Sequence, residues 1–429
     1  MINARFLPQK LINLTPIQIQ YLNDNKRFTV VSAGRRSRKT LIGKRKVLKH
    51  AIKTPDSKFI YAAPTQQQAK QIFWDGLKRD TYYLRKDKSE VDKVVILKNG
   101  THIQVAGLDK PERIEGQTDV PIKGIHITEF ANVKADAWQS NIRPILSDTN
   151  GFAILDGVPE GRNHYYDKAI YACGGIIPKT FPQIGAFGSS LDAPDWAFFS
   201  WFSSDVLDLA EIEELKKEVD ERTFRQEFEG SFETVEGMAY YSFSKKNLRM
   251  CEYDPKKTVH IGMDFNVNPM TATVSHITSN IIEQFGEVYL RNSNTTRMAD
   301  HLEDLFNPEN CIIYPDSSGK NASSNSSFSD LEILRKRGFA IKCYLNNPRV
   351  KDRLNAVNSR MMPMDGEAKY FINPKTCPRT IEDFNKVERE MDGTENKAQE
   401  KDGLVHISSA LGYMINYLYP IRKQNKWRH

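Results

Sequence analysis

Short apolar runs alternate with helical stretches through the first half of the chain, and this alternation restricts the fold more than any other feature. Residues 28–31 and 58–62 are predicted strands, and residues 39–52 and 66–78 have helical character. Strands that alternate with helices are joined by crossover connections, which are typical of a parallel sheet. The sequence therefore predicts an α/β fold with a mainly parallel sheet in its first domain.

Length and composition exclude several classes of protein. The 429 residues are enough for two or three domains, and 39% hydrophobic with 27% charged residues is ordinary globular composition. No run approaches the roughly 18 apolar residues that a membrane helix needs, so we expect no membrane association. Five scattered cysteines favour a reducing cytoplasm. The net charge of +7 permits a nucleic-acid partner without demanding one.

The texture of the sequence changes after about residue 232. Residues 233–256 contain no long apolar run and are predicted to be a linker, and a new apolar strand begins at Val259. The predicted organisation is therefore a first domain over residues 1–232, a linker over 233–256 and a second domain over 257–429.

The first candidate site is a degenerate phosphate loop between a predicted strand and a helix. A phosphate loop has glycine, four residues, then Gly-Lys-Ser/Thr; here Ala33 and Arg38 occupy the glycine positions before Lys39 and Thr40. Lys39 can reach the β- and γ-phosphates of a nucleotide, Thr40 can bind Mg²⁺, and the N–H groups of the helix start can cradle phosphate. A solvent-exposed basic helix start is the alternative.

An acidic residue for hydrolysis follows another predicted strand. Glu129 comes directly after residues 125–127 and Thr128, where a water-orienting glutamate is expected. Thr128 stands where an aspartate associated with Mg²⁺ is usual. A solvated glutamate beyond an edge strand is the alternative interpretation.

Three acids in the second half form the other candidate site. Asp264 and Asp316 each follow an apolar strand, and Asp402 precedes the last apolar helix. Such acids can converge on two divalent ions about 3.5–4 Å apart, as in phosphodiester cleavage. Oxygen ligands alone favour Mg²⁺ or Mn²⁺. Each acid could instead be an ordinary solvated carboxylate.

In their order, these motifs resemble those of the large terminase subunits of tailed bacteriophages, from about residue 14 to residue 419. The matching segments are residues 14–18 (the glutamine motif on the adenine side), 32–40 (the arginine-rich phosphate loop), 63–69 (a helicase-like segment), 113–116 (an arginine-containing segment), and 141–148 with 157–165 (a stretch that includes the coupling motif).

The resemblance implies a P-loop ATPase domain of the ASCE or RecA-like type, followed by an RNase-H-like nuclease domain. It implies that Arg113 completes the ATP site of a neighbouring subunit, although Arg35 or Arg36 could act within one chain and Arg113 could be a plain surface residue. The implied ATP-binding residues are Gln18, Gly34, Arg35, Arg36, Ser37, Arg38, Lys39 and Thr40.

For the nuclease, Asp264 and Asp316 match the first two acids of the family. Ser409 stands where the third acid is expected, and Asp402, with His406 nearby, is the candidate replacement. The implied catalytic metal ligands are therefore Asp264, Asp316 and Asp402. Residues 351–360 predict a helix with a basic face, which could lie along a DNA backbone or be simply solvated.

The expected function is that of a viral packaging motor: ATP hydrolysis drives double-stranded DNA into a procapsid, and the nuclease cuts concatemers. The resemblance implies a portal protein, a small terminase subunit and a homo-oligomeric ring as partners. It places the protein in the host cytoplasm and, transiently, at the portal vertex. A repair-type helicase–nuclease and a non-enzymatic DNA-binding assembly protein with decayed sites are the alternatives; the substituted positions 33, 38, 128 and 409 favour the second.

Overall fold

The computed structural model describes residues 14–114, 120–174, 186–233, 237–266, 268–320, 329–390 and 395–421. The chain forms two compact units: unit 1 is residues 1–212 with 225–233, and unit 2 is residues 213–224 with 234–429. The predicted linker is thus largely part of unit 2, because Ala239 and Tyr240 are buried in its core. The apolar stretch that contains these two side chains is too short to indicate a core segment by its length.

The described α-helices are α1 Pro16–Asn23, α2 Lys39–Lys53, α3 Gln66–Ala69, α4 Asp75–Asp80, α5 Arg143–Thr149, α6 His164–Cys173, α7 Leu209–Glu218, α8 Glu221–Phe228, α9 Thr295–Leu305, α10 Asp330–Lys336, α11 Val350–Met361, α12 Pro378–Lys386 and α13 His406–Leu418. The described strands are β1 Phe28–Ala33, β2 Lys58–Ala63, β3 Arg85–Ser89, β4 Val94–Leu97, β5 His102–Gly107, β6 Ile122–Ile127, β7 Phe152–Gly157, β8 Ala186–Gly188, β9 Trp196–Trp201, β10 Gly237–Met238, β11 Val259–Asp264, β12 Met270–Thr278, β13 Ile281–Leu290, β14 Cys311–Pro315, β15 Ala340–Ile341, β16 Tyr370–Ile372 and β17 Glu388–Arg389.

Unit 1 contains a sheet in the order β3-β4-β5-β2-β6-β7-β1-β9-β8. The strands from β5 to β9 in this order are parallel to their neighbours, and antiparallel pairs occur only towards the two edges. Successive residues of β1 point to opposite faces, so Val30 packs into one hydrophobic core and Val31 into the other. Because β1 is a central strand buried on both faces, its two middle residues, Val30 and Val31, are both apolar.

Unit 2 contains a mixed sheet in the order β15-β14-β11-β12-β13-β16. Three antiparallel strands, β11 to β13, continue into β14 and β15, which run parallel to β11. Helix α13 packs directly on β11. The contact is so close at Gly262 that a Cβ atom there would lie 2.2 Å from the Ala410 carbonyl oxygen, so this position requires glycine. The predicted α/β fold class, with a mainly parallel sheet in the first unit, is confirmed.

Within the described ranges, no helix has both the length and the apolar character needed to cross a lipid bilayer.

Candidate functional site

The candidate phosphate loop is bent although Ala33 and Arg38 replace the two glycines of the pattern. Arg36 and Arg38 have φ angles of 60° and 70°, in the left-handed region that residues with a side chain rarely adopt. Arg38 stands at the second glycine position of the phosphate-loop pattern, so the substitution keeps a backbone geometry that glycine would adopt without strain. Strain of this kind persists where surrounding contacts enforce it, and it is common at functional sites.

Contacts from the other side of the loop enforce this conformation. The Gly34 N–H donates to the Trp201 carbonyl oxygen at 3.1 Å, and the Arg35 N–H donates to that of Glu227 at 2.7 Å. The Arg35 guanidinium also binds the buried Glu227 carboxylate, at 2.6 Å from Nη2. A Cβ atom at Gly34 would lie 2.1 Å from the Phe228 carbonyl oxygen, so this close approach requires glycine.

Gln18 lies against the phosphate loop. It is buried, and its Nε2 donates to the Ser37 carbonyl oxygen at 3.2 Å, while Trp201 Nε1 donates to the same oxygen at 2.8 Å. The N–H of Thr15 donates to Gln18 Oε1 in a capping box at the start of α1. Gln18 therefore braces the loop, and its role beside adenine stays a prediction.

Lys39 is buried at the start of α2, with only 7% of its surface exposed. Its Nζ donates to the Gly34 carbonyl oxygen at 3.2 Å, so the ammonium group lies over the loop. Burial lowers the pKa of Lys39, and the negative charges of Glu129 and Asp156 oppose that shift. The ammonium group therefore lies where a phosphate held by the loop would meet it.

A chain of hydrogen bonds joins Thr40 to a buried acid that was not predicted from the sequence. Thr40 Oγ1 lies 3.2 Å from Thr128 Oγ1, which donates to Asp156 Oδ1 at 2.6 Å. His126 Nε2 lies 2.6 Å from the other oxygen, Asp156 Oδ2, and both side chains are fully buried. Pairing of β6 with β7 places Thr128 beside Asp156. The sequence signal that could have identified Asp156 is its position at the end of the apolar strand β7, which pairs with β6.

Glu129 follows β6 at the carboxyl edge of the sheet, where only β7 separates β6 from β1. It is half-buried, and its φ of 53° is again left-handed. Its charge acts on the pKa of Lys39, which places the two side chains within electrostatic reach. The structure thus places Lys39, Thr40 and Glu129 at one edge of the sheet, and their roles in ATP hydrolysis stay a prediction.

The structure describes the side chain of one of the two candidate arginines considered next, Arg35, and not that of the other, Arg113. The Arg113 side chain lies outside the described part of the structure, so its proposed action on a neighbouring subunit stays a prediction. Arg35 is held by Glu227 at 2.6 Å, and a role on phosphate within the same chain would require that ion pair to open.

The second candidate site is a cavity of about 450 Å³ in unit 2. Its described lining combines acidic, basic and small polar side chains. They include Asp264, Asn266, Asp316, Ser318, Arg353, Glu395, Glu400, His406, Ser409 and Tyr413.

Asp264 and Asp316 meet at one edge because β11 and β14 are parallel neighbours. Asp316 is positioned by two N–H groups: that of Phe265 donates to Oδ2 at 3.0 Å, and that of Ser318 donates to Oδ1 at 2.6 Å. Burial raises the pKa of Asp264; the hydrogen bond with His406, at 3.4 Å, opposes that rise, and the charge of Asp316 adds to it. Two carboxylates that repel one another in a shared cavity are suited to a divalent cation, which would relieve the repulsion.

The third acid of this site is not assembled in the described part of the chain. Ser409 lines the cavity, and the side chain of Asp402 lies outside the described residues. Glu395 and Glu400, which the sequence analysis did not name, also line the cavity. Even so, the described residues contain no group of three or more His, Cys, Asp or Glu side chains arranged to hold a metal ion.

Comparisons with known proteins point in one direction. No family model matches the chain. A stretch of it is 27% identical, over 195 residues, to the large terminase subunit of Escherichia phage T5, covering 44% of this chain and 40% of that protein. A second is 23% identical, over 172 residues, to that of Thermus virus P23-45, covering 37% and 34%. The matches thus span about two fifths or less of these relatives' length.

The match to solved structures extends over nearly the whole chain. The large terminase of a thermophilic bacteriophage aligns with a TM-score of 0.68 and 15% identity, over 94% of this chain and 98% of that one. The same protein in complex with ATP-gamma-S aligns with a TM-score of 0.66 and 14% identity, over 94% and 99%. This chain has the large terminase fold. The resemblance predicted from the order of its motifs is confirmed.

Proposed function

We propose that the chain is a DNA-packaging motor in which unit 1 hydrolyses ATP and unit 2 cuts DNA. The terminase fold and the names of the relatives support the class of protein. The observation that carries the ATPase proposal is the array at the carboxyl edge of the unit 1 sheet, where a bent phosphate loop, a buried lysine, two hydroxyls and two acids meet.

In unit 1, Lys39 would bind the β- and γ-phosphates in place of the Gly34 carbonyl oxygen that it now contacts at 3.2 Å. The free N–H groups of the first turn of α2 add partial positive charge towards the same phosphates. Mg²⁺, when bound with the nucleotide, would neutralise charge on the phosphate oxygens. Thr40 would supply a hydroxyl ligand, and Glu129 would orient the attacking water.

Thr128 occupies the position where an aspartate associated with Mg²⁺ is usual, and its contacts supply part of what the missing carboxylate would provide. Thr128 has no charge of its own, but it donates to the buried carboxylate of Asp156 at 2.6 Å. Because the Thr128 hydroxyl hydrogen is engaged with Asp156, the Thr128 oxygen presents a lone pair towards Thr40 Oγ1, which lies 3.2 Å away. Asp156 would thus polarise the two hydroxyls on the Mg²⁺ side. This arrangement argues against a decayed ATPase site.

In unit 2, Asp264 and Asp316 would hold the divalent ions, Mg²⁺ or Mn²⁺, that activate water and stabilise the leaving oxygen in phosphodiester cleavage. The Phe265 N–H on Asp316 Oδ2 leaves that oxygen a lone pair for a metal ion, whereas Oδ1 accepts both the N–H and the hydroxyl of Ser318. His406 would hold the orientation of Asp264. We assign the third ligand to Asp402.

The larger assembly follows from the same proposal. Double-stranded DNA would be the substrate, bound mainly through its phosphates and therefore in a salt-dependent way. The portal protein, the small terminase subunit and a homo-oligomeric ring are the proposed partners, with Arg113 completing a neighbouring ATP site. The proposed location is the host cytoplasm and, during packaging, the portal vertex of the procapsid.

Two assays on the purified chain test the proposal against its alternatives. We expect Mg²⁺-dependent ATP hydrolysis that Lys39→Ala abolishes, and divalent-ion-dependent cleavage of a plasmid that Asp264→Asn abolishes. A repair-type helicase–nuclease would also separate the strands of a short duplex in an ATP-dependent way, whereas the motor would not. Absence of both hydrolysis and cleavage in the wild type would instead support an assembly protein with decayed sites.

A further inference from the structure

Arg353 is a buried cation whose hydrogen-bonding capacity is largely unused. It lies on α11 with 7% of its surface exposed, and its Nε and Nη1 have no hydrogen-bond partner among the described residues. The Glu395 carboxylate forms an ion pair with it, 3.8 Å from Nη2. A charged group so far from water is normally fully hydrogen-bonded, because an unmet donor costs about 1–3 kcal/mol. Residues 351–360 were predicted to present a basic face either to solvent or to DNA, and the burial of Arg353 and Arg360 corrects the solvated alternative for these two side chains.

The Arg353 side chain packs against an aromatic ring and lines the cavity. Its guanidinium lies 4.4 Å from the centre of the Tyr413 ring, a stacking distance that holds the group in place. Arg353, Tyr413, Asp264 and Asp316 all line the same cavity. The unused donors therefore belong to the wall of the candidate nuclease site.

The pairing with Glu395 does not account for these donors. Tyr240 donates to Glu395 Oε1 at 3.3 Å, and the 3.8 Å separation from Arg353 is an ion pair without a close hydrogen bond. Glu395 thus balances the charge of Arg353 but leaves at least two of its nitrogen atoms, Nε and Nη1, for another acceptor.

The chemistry of the cavity indicates the class of acceptor. A phosphodiester entering a cavity that contains Asp264 and Asp316 is repelled by both carboxylates, and a fixed guanidinium would offset that repulsion. Arginine also binds phosphate oxygens through several directed N–H groups, which an ammonium group cannot do. We propose that Arg353 binds the non-bridging oxygens of the scissile DNA phosphate and stabilises the charge that develops there in the transition state. This inference rests on the proposed nuclease function.

The test separates binding from cleavage. The affinity of the full chain for a short DNA duplex is measured by fluorescence anisotropy in EDTA, where metal ions contribute nothing, and plasmid cleavage is measured with Mg²⁺ or Mn²⁺. Arg353→Gln should weaken binding about tenfold, the size of a lost charge-assisted hydrogen bond, and slow cleavage at least ~100-fold. Arg353→Lys should recover part of the affinity but less of the cleavage rate.

Two further variants control for a structural role. Arg353→Gln leaves the buried Glu395 without its counter-charge, so its thermal midpoint should fall; Arg353→Gln with Glu395→Gln should restore the midpoint but neither binding nor cleavage. Lys257→Gln removes an exposed charge before β11, at the end of that strand opposite Asp264, and should change DNA affinity less than twofold.

Recovery of cleavage in the double variant would show that Arg353 is only structural. Wild-type affinity in a folded Arg353→Gln chain would also overturn the proposal. Failure of the wild type to cut with either metal would instead refute the nuclease function, and the comparison in EDTA would still report whether Arg353 binds DNA.

Discussion

The two candidate sites each lack one acid that the family pattern leads one to expect, and the structure compensates for only one of these substitutions among its described contacts. In unit 1, Thr128 touches the carboxylate of Asp156 on the neighbouring strand at 2.6 Å. In unit 2, Ser409 lines a cavity in which no described set of three acids is assembled. Parallel neighbours end at the same sheet edge, so one strand can supply a charge that the other has lost.

A second difference lies in how complete each site is before a ligand arrives. The phosphate loop is braced by backbone hydrogen bonds and by the Arg35–Glu227 ion pair. The acidic cavity contains the unmet donors of Arg353 and the mutual repulsion of Asp264 and Asp316. Among the described residues the first site also has two unmet buried atoms, Ser37 Oγ and His126 Nδ1, but the protein's own contacts hold its loop in shape, whereas DNA and metal ions would complete the second.

The largest effect is expected from Asp264→Asn. Cleavage should fall by about three orders of magnitude or more, because the loss of a charged ligand removes several kcal/mol of metal-dependent stabilisation. ATP hydrolysis, measured on the same preparation, should stay within twofold of the wild type since Asp264 belongs to unit 2. Loss of both activities together would show that the two sites do not act separately.

The position of the third acid sharpens this prediction. Asp402→Asn should be nearly as damaging as Asp264→Asn if Asp402 is the third ligand, and Ser409→Asp should then change cleavage little or raise it slightly. Normal cutting by Asp402→Asn, with a sharp gain in Ser409→Asp, would mean that the site lacks a third acid of its own.

For the phosphate loop, Lys39→Ala and Glu129→Ala should fail in different ways. Lys39→Ala should lose nucleotide binding, because the buried ammonium group is its main charge on phosphate. Glu129→Ala should bind an ATP analogue normally but hydrolyse ATP at least ~100-fold more slowly, the scale of a lost general base. Lys53→Ala, at the exposed end of α2, is the matched control. Unchanged turnover in both site variants would refute the assignment.

The compensation by Asp156 can be broken and rebuilt. Asp156→Asn should raise the Mg²⁺ concentration needed for half-maximal binding of an ATP analogue about tenfold, the scale of one charge-assisted hydrogen bond. Thr128→Asp alone places two carboxylates side by side and should lower the thermal midpoint in EDTA. The double variant Thr128→Asp with Asp156→Thr moves the charge across one strand and should recover Mg²⁺ dependence. An Asp156→Asn chain that needs no more Mg²⁺ than the wild type would refute the compensation.

The last prediction concerns stability and neither activity: Asp383 holds the start of α13 in unit 2 through hydrogen bonds from the N–H and hydroxyl of Ser408, at 3.1 and 2.6 Å. Burial raises the pKa of Asp383 from 3.8 to about 7. The folded chain therefore keeps a proton that the unfolded chain has lost between these pH values, and the stability that this carboxyl contributes below about pH 4 is lost as pH rises through about 7.

Asp383→Asn remains neutral, so its free energy of unfolding should gain on the wild type as pH rises from about 4 to 7, by at most about 1.4 kcal/mol per pH unit. Urea unfolding at several pH values measures this difference. A constant difference across the range would show that Asp383 does not titrate there.

The candidate residues that could be named from the sequence are those that directly follow an apolar run or begin a helix. Lys39, Thr40, Glu129, Asp264 and Asp316 all stand at the end of a strand or the start of a helix, and parallel strands bring such ends together. This is why the fold class could be predicted, and why the residues proposed for each site lie at one sheet edge.

The residues that were missed depend on contacts distant in sequence. Asp156 matters because of the register between β6 and β7, and Arg353 because α11 buries a face that carries charges. Neither the partner strand of a given residue nor the buried side of a charged helix can be read from local periodicity.

The path of the chain between the units has a practical consequence for dissecting the protein. The backbone passes from one unit to the other at residues 212/213, 224/225 and 233/234, so neither unit is one continuous stretch of sequence. A fragment that ends at residue 212 would discard Glu227 and Phe228, which grip Arg35 and Gly34. A fragment that ends at residue 233 would keep residues 213–224 without the body they pack into. A separately expressed unit 1 would thus need its sequence respliced, with an artificial linker joining residue 212 to residue 225.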